Sequence, residues 1–238
     1  MESASVARQL ASRLSQDRAI TALCLLGSVA RGDATPGSDI DILAITTEER
    51  RPTELLVQAG ETGSDARMSL MVRSEELFDR LAGDGALFVL HTRLEGKILF
   101  DRARWLQECL ATTADVPPNP GATIAWAEGE LDRYRDLRRF NGIFLFALAR
   151  IYSASRALAI ALTVREGSPY FARNTAFDAV RDWYPQVSGE VDRLRALAPF
   201  HARADGKQVR LPFDHHGATY ATAQALADAG RLSELARS

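Results

Sequence analysis

The sequence predicts an α+β fold in which a small mixed-sheet unit is followed by an all-α helical bundle. Up to about residue 111, short apolar runs of strand length alternate with segments of helical spacing, and beyond it nearly every segment is helical in pattern. Residues 112–121 contain three prolines and a glycine, which cannot continue a helix. We therefore predict a first domain at 1–111, a linker at 112–121 and a helical bundle at 122–238.

The first domain is predicted to begin with an amphipathic helix and to continue as strand, turn, strand, helix, strand, helix, strand. Its first two strands flank a glycine-rich turn, and Ser74 followed by two glutamates is typical of a helix start. The predicted strands are 20–26, 40–45, 67–72 and 97–100, and the predicted helices after the first are 53–59 and 75–81.

The second domain is predicted to be a bundle of helices at 122–139, 143–165, 175–184, 187–198 and 218–236. Its most apolar stretch, 145–164, is long enough to cross a membrane. Arg150 and Arg156 near the middle of that stretch would each cost about 2.5–3.5 kcal/mol on an insertion scale. We therefore expect a buried bundle helix and no membrane partner.

The composition is that of an ordinary globular protein, with 46% hydrophobic and 25% charged residues. The 29 basic and 31 acidic residues leave a net charge of -2, so no overall field favours duplex DNA. Two cysteines are too few for a disulfide or metal framework, which fits a reducing compartment. The charged N-terminus does not resemble a signal peptide, and we expect a cytoplasmic protein.

One stretch carries several groups with chemical uses. Gly27 allows a backbone to approach a ligand closely, Ser28 offers a hydroxyl, and the N–H groups of the turn after them favour an anion. Asp39 and Asp41 stand two apart at a strand start, so both carboxylates project from one face, with Cα atoms about 6.6 Å apart. Mg²⁺ binds through one or two carboxylates plus substrate phosphates. The stretch predicts a phosphate site beside a magnesium site.

The combined pattern of Gly-Ser, Arg-Gly and Asp-x-Asp resembles the DNA polymerase β-like nucleotidyltransferases. It is most similar to the minimal nucleotidyltransferases and the kanamycin-type aminoglycoside adenylyltransferases, over about residues 18–105. The resemblance implies an enzyme that transfers an NMP group, AMP first among them, from an NTP such as ATP to a hydroxyl with Mg²⁺. It also implies a nucleotide-binding set, Gly27, Ser28, Arg31 and Ser38, and two metal-binding and catalytic residues, Asp39 and Asp41.

The favoured acceptor is a small hydroxylated molecule such as an aminoglycoside, because the net charge gives no general affinity for RNA. A protein or tRNA acceptor, as in toxin–antitoxin systems, is the alternative, and a nucleotide-binding module with impaired catalysis is another. The second domain resembles the HEPN-like bundles that accompany minimal nucleotidyltransferases, where it would bind the acceptor or a partner. The sequence also leaves open whether the protein forms a homodimer.

A third carboxylate, which many such enzymes have on the next strand, is missing from 67–72. Asp65 lies just before that strand and is one candidate for the role. Another is Glu130, which helical spacing places on an apolar face, whereas Glu128 falls on the opposite, charged face.

A carboxylate on an apolar face is desolvated, which suits removal of a proton from a substrate hydroxyl. Glu130 is therefore the predicted general base and the third catalytic residue. The alternative is structural: a glutamate between packed helices, paired with Arg150 or Arg156.

Overall fold

The chain divides into two compact units, residues 1–119 and residues 120–238. A computed structural model describes the chain over six ranges, and every structural statement below concerns these: 2–35, 38–58, 68–136, 144–172, 174–204 and 215–238.

The first unit is built on a four-stranded mixed sheet with the strand order β3-β2-β1-β4. The strands are β1 (Ile20–Leu26), β2 (Ile40–Thr46), β3 (Met68–Ser74) and β4 (Lys97–Asp101). β1 pairs antiparallel with β2 and β4, and β2 pairs parallel with β3. The two central strands are almost entirely buried, which explains why both are nearly continuous apolar runs. The predicted α+β class is confirmed.

Helices cover both faces of this sheet. They are α1 (Glu2–Leu14), α2 (Gly27–Arg31), α3 (Pro52–Gln58), α4 (Glu75–Gly83), α5 (Leu87–Glu95) and α6 (Trp105–Thr112). Leu10 and Leu14 of α1 pack on one face, and Phe78 of α4 and Leu106 of α6 pack on the other. The hydroxyl of Ser74 accepts a hydrogen bond from the Leu77 N–H at 3.3 Å, which confirms the predicted start of α4.

Helix α5 was not predicted, and it turns out to matter for the site. Its sequence combines a short apolar run, Leu87 to Leu90, with a polar second half, and neither half has a full helical period of apolar residues. Glycines stand on both sides of it, at Gly85 and Gly96. Only the packing of Val89 beneath the sheet reveals the element.

Both cysteines lie in the first unit and are buried, Cys24 in β1 and Cys109 in α6. Burial and the nearby Asp101 raise the pKa of the Cys24 thiol to about 12. Burial and a hydrogen bond to Asp79 raise the pKa of the Cys109 thiol to about 12.

The proline-rich segment predicted as a linker belongs largely to the first unit. The N–H of Asn119 donates to the carbonyl of Gly85 at 2.8 Å, and the Arg93 guanidinium donates to the carbonyl of Thr113. A proline-rich chain lacks N–H donors but keeps its carbonyls, so it can lie extended along another segment. Residues 113–119 are therefore a strap on the first unit.

The regular elements among the described residues of the second unit are all helices. The helices are α7 (Gly121–Arg133), α8 (Phe144–Arg165), α9 (Thr175–Trp183), α10 (Ser188–Arg195), α11 (Ala198–Ala204) and α12 (His215–Arg237). The predicted helix at 187–198 is shorter than expected, and α11 follows it as a separate helix.

The core of the second unit is centred on α8. By length and composition this helix could cross a membrane, but most of it is buried against the other helices. Leu148, Ile151, Tyr152 and Leu158 have less than 2% of their surface exposed. The prediction of a buried bundle helix agrees with this packing.

The contact between the strap and Gly85 leads to a stability prediction. Gly85 has φ +67°, and a Cβ added there would lie 2.3 Å from the carbonyl oxygen of Pro117. We expect Gly85→Ala to lower the free energy of unfolding of the first unit by about 2–4 kcal/mol, from backbone strain and overpacking together. Hydrogen exchange of first-unit peptides during urea unfolding measures this change.

Gly83→Ala is the matched control, because a Cβ there meets nothing within 4 Å. It lies at the end of α4 and should be neutral or stabilising by up to about 1 kcal/mol. Equal unfolding midpoints for the two variants would contradict the position of the strap.

Candidate functional site

Gly27 and Asp41 define the centre of the predicted site. The chain leaves β1 at Leu26 and enters α2 through Gly27, which has φ +69°. A Cβ built on Gly27 would lie 2.5 Å from Oδ2 of Asp41, a distance that real Cβ atoms do not reach. Only glycine combines this backbone conformation with such a close approach. The turn and the carboxylate are therefore in direct contact.

Asp39 and Asp41 stand at the start of β2, as predicted. Asp41 is the second residue of the strand, where it lies opposite Leu26 of β1 and Ser69 of β3. Both aspartates are partly exposed, whereas Ile40 is buried. Two carboxylates thus stand where the turn after β1 comes closest to β2.

Ser28 lies at the start of α2 and is partly exposed. Its carbonyl accepts hydrogen bonds from the N–H groups of Gly32 at 2.9 Å and Asp33 at 3.1 Å, which closes the short helix. The first N–H groups of a helix have no partner within the helix. They can therefore donate to an anion that lies in front of the turn.

Ser38 stabilises the loop that leads into Asp39. Its hydroxyl oxygen accepts a hydrogen bond from the N–H of Thr35 at 2.9 Å, and its own N–H donates to the carbonyl of Thr35 at 2.9 Å. These two bonds join Thr35 to Ser38. Ser38 thereby helps to place Asp39, and its predicted contact with a nucleotide stays a prediction.

Arg31 at the end of α2 is held by two carboxylates. Its Nη1 donates to Oε2 of Glu95 at 2.7 Å, and its Nε donates to Oδ2 of Asp33 at 3.2 Å. Burial disfavours the charged guanidinium, but the hydrogen bonds to Glu95 and Asp33 raise the pKa of Arg31 above its ordinary value. Its predicted contact with a triphosphate stays a prediction.

Glu95 and His91 are residues that the sequence analysis missed. Both lie on α5 four residues apart, and Nε2 of His91 is 3.2 Å from the same Oε2 of Glu95 that meets Arg31. Burial opposes ionisation of Glu95, but the hydrogen bonds from His91 and Arg31 outweigh it and lower its pKa. The only signal in the sequence was an i, i+4 pair, which has meaning only once α5 is known.

No acid takes the third position beside Asp41 on β3. The neighbour of Asp41 on that strand is Ser69, and Asp65 lies outside the described residues. Among the residues that the structure describes, no group of three His, Cys, Asp or Glu side chains could hold a metal ion. Two carboxylates beside the turn at Gly27 and Ser28 fit Mg²⁺, which can draw its remaining ligands from substrate phosphates and water.

Glu130 is a buried residue of the second unit, with 4% of its side chain exposed. It accepts hydrogen bonds from Arg133 at 2.7 Å and from Nε of Arg150 at 2.7 Å, with a further contact from Nη2 of Arg150. Pairing with Arg150 was the structural alternative, and it is the arrangement found. The catalytic role of Glu130 stays a prediction.

Glu128 lies in a different environment from Glu130, but it is not a simple solvent-facing residue. Its carboxylate accepts hydrogen bonds from Ser233 and Arg237 of α12. The hydrogen bond from Arg237 is the main reason that the pKa of Glu128 is lowered. Glu128 was predicted on the charged side of its helix, and its charged partner there, Arg237, comes from α12, which packs beside α7.

The first unit thus has a mixed sheet whose first strand ends in a Gly-Ser turn beside an Asp-x-Asp strand. The family model described as "Nucleotidyltransferase domain" matches residues 7–83, which confirms the predicted class of enzyme for the first unit. No curated protein matches the chain at the level of sequence.

Three solved structures match the chain, and the likeness in fold rests on the first of them. A spectinomycin adenyltransferase from Enterococcus faecialis, crystallised with ATP and spectinomycin, is 14% identical over 91% of this chain and 96% of that one, with a TM-score of 0.53. A toxin–antitoxin structure with AMP-PNP is 17% identical over 48% of this chain and 84% of that one, with a TM-score of 0.34. A nucleotidyltransferase-like protein from Exiguobacterium sibiricum is 16% identical over 97% of this chain and 74% of that one, with a TM-score of 0.37.

The contact of Gly27 with Asp41 leads to a prediction about activity. In Gly27→Ala the new methyl group must displace the Asp41 carboxylate or the turn. We expect kcat/KM for nucleotidyl transfer, measured as pyrophosphate release, to fall by about 10² or more, as is typical of a displacement of about 1 Å in a reacting group.

The control is Gly32→Ala, at φ +89° with nothing within 4 Å of an added Cβ. It carries the backbone strain of about 1–2 kcal/mol without the contact, so it should lose stability and keep most activity. Equal losses of activity in both variants would show that strain alone, and not the carboxylate, matters at Gly27.

Proposed function

We propose that the chain transfers an NMP group from an NTP, with ATP the first choice, to a hydroxyl of a small hydroxylated acceptor such as an aminoglycoside. The observation that carries this proposal is the contact between Gly27 and Asp41, with Asp39 two residues before Asp41 on the same strand start. The match of residues 7–83 to the nucleotidyltransferase domain supports it.

The residues of the first unit suggest how a triphosphate is held. The phosphates would lie against the turn that begins at Gly27, where the first N–H groups and the hydroxyl of Ser28 can donate to them. Asp39 and Asp41 would hold Mg²⁺. When bound, the ion would neutralise charge on the phosphate oxygens.

The reaction is an in-line displacement at the α-phosphorus. The acceptor oxygen forms a bond to this phosphorus, the bond from the phosphorus to the β-phosphate oxygen breaks, and pyrophosphate leaves. The hydroxyl proton passes to a base. Glu130 is our candidate, and Asp65 is the alternative within the first domain.

The acceptor class rests on the fold. The spectinomycin adenyltransferase, which was crystallised with ATP and spectinomycin, shares the fold over nearly the full length of both chains. The net charge of -2 gives this chain no general attraction to RNA. We therefore rank a small hydroxylated molecule above a protein or a tRNA, and labelled ATP offered with each class of acceptor decides between them.

The first test concerns the two aspartates. Asp39→Asn and Asp41→Asn keep the size of the side chain but lose the charge that holds Mg²⁺. We expect each change to reduce pyrophosphate release to background while the thermal melting curve barely moves. Asp84→Asn, an exposed residue at the end of α4, is the control and should keep full activity.

Near wild-type turnover of either variant at saturating Mg²⁺ would refute the metal assignment. Binding of ATP without turnover in the wild-type chain, with every class of acceptor, would instead support a nucleotide-binding module.

The second test separates the two roles of Glu130. If Glu130 is the base, Glu130→Gln should lower kcat by about 10²–10⁴ with ATP binding preserved. If it only pairs with Arg150, the same change should lower the melting temperature and leave kcat nearly unchanged. Glu128→Gln, which also breaks an arginine pair, is the matched control for stability.

A loss of kcat that is confined to Glu130→Gln supports Glu130 as the base, provided that the two variants have the same melting temperature. Small and equal effects of the two changes on kcat would refute Glu130 as the base and leave Asp65 as the candidate.

A further inference from the structure

We infer that Glu95 is a positioning residue for nucleotide binding and that it acts through Arg31. The inference rests on the proposed function, because it concerns how the same turn would meet a triphosphate. It starts from the contact of Arg31 with Glu95, two residues that are 64 positions apart in the chain.

The geometry is that of a fixed guanidinium. Glu95 is the last residue of α5, Arg31 is the last residue of α2, and their side chains are only 18% and 20% exposed. Partly buried charges are screened less by salt and water than exposed ones. Because the pKa of Glu95 is lowered and that of Arg31 is raised, the pair stays ionised at neutral pH.

His91 contacts the same carboxylate oxygen of Glu95 as Arg31 does. Its Nε2 lies 3.2 Å from Oε2 of Glu95, on the same helix and one turn earlier. A carboxylate oxygen that is bound by two side chains has little freedom to change rotamer. Glu95 is therefore a rigid acceptor, which suits the orientation of a neighbour.

A guanidinium has five N–H donors in one plane. The contacts with Glu95 and Asp33 use one hydrogen on Nη1 and the one on Nε. Fixing these two directions fixes the plane, so the directions of the other three donors are fixed as well. Arg31 belongs to the five-residue helix that starts at Gly27, so a triphosphate at that turn would meet an arginine already oriented.

Preorientation has a measurable consequence. An arginine that is held in its binding geometry loses less side-chain freedom when phosphate arrives. Loss of Glu95 should weaken the binding of a triphosphate but not of a nucleoside, which has no phosphate. It should raise KM for ATP more than it lowers kcat, since the contact is present before and during the reaction.

The experiment measures binding of Mg²⁺–ATP and of adenosine by calorimetry, and ATP kinetics, for four chains: wild type, Glu95→Gln, Arg31→Ala and the double variant. We expect Glu95→Gln to weaken ATP binding about 15-fold, near the lower end of the range for a hydrogen bond to a charged group, and to leave adenosine binding unchanged. The double variant should bind ATP no worse than Arg31→Ala, because Glu95 acts only through Arg31.

Two further variants keep the result interpretable if Glu95→Gln lowers stability. Glu76→Gln, an exposed glutamate on α4, should behave like the wild type. Arg31→Lys keeps the charge but cannot reach both carboxylates with a planar group, so it should lose most of the ATP affinity.

The outcomes distinguish failure of the proposed function from failure of the proposed role of Glu95. If the wild-type chain binds no ATP, the proposed function fails and this inference fails with it. If the wild type binds ATP and Glu95→Gln binds it equally well, or if the losses in the double variant add, only the role of Glu95 is refuted.

Discussion

The contact between the backbone at Gly27 and the carboxylate of Asp41 is the constraint on which the first unit depends. It follows from the antiparallel pairing of β1 and β2, which sets Leu26 opposite Asp41, so the chain that leaves β1 must turn beside the first residues of β2. A slip of the register by one residue would turn every buried side chain of β2 to the other face. The packing of both sheet faces therefore protects the geometry of the site.

In the second unit, charged side chains join the helices to one another. There, arginines join helices through carboxylates that are almost fully buried: Arg150 meets Glu130, and Arg193 meets Asp228, whose side chain is 3% exposed. Removing one partner of such a pair leaves a buried charge without compensation. A packing in which these helices contact other neighbours would therefore cost free energy, because the buried carboxylates would lose their arginines. Small residues such as Ala154 and Ala229 let the helices approach closely.

The sequence was sufficient to predict the strands of the sheet and the positions of Gly27, Asp39 and Asp41, because these depend on local signals; the roles of the three residues stay predictions. Apolar runs predicted β1 and β2. Gly27, Asp39 and Asp41 were predicted as site residues because a glycine turn followed by two aspartates at a strand start has few structural uses. The partner of Arg31 could not be predicted in this way. Glu95 is distant in sequence, and α5 is short, lacks a clear apolar period and is defined by its packing against the sheet.

The strap at 113–119 and Glu130 both show that local sequence rules do not predict tertiary contacts. Proline content predicted a break in helix over 112–121, and the backbone is non-helical only at 116–120, because α6 extends to Thr112, a 3-10 turn follows and α7 begins at Gly121. The pairing of Asn119 with Gly85 is a tertiary contact that no local rule contains. For Glu130, helical spacing predicted a buried position, and the structure confirms the burial. Spacing could not decide which arginine would meet it, since that depends on how α7 packs on α8.

The two buried thiols provide a way to observe one part of the molecule alone. With pKa values of about 12, Cys24 and Cys109 hold almost no thiolate at neutral pH, and their sulfur atoms are closed off from reagents. The second unit contains no cysteine. Alkylation of the native chain must therefore wait for the first unit to open, and its rate reports how often the sheet exposes its interior, without any signal from the helices beyond it.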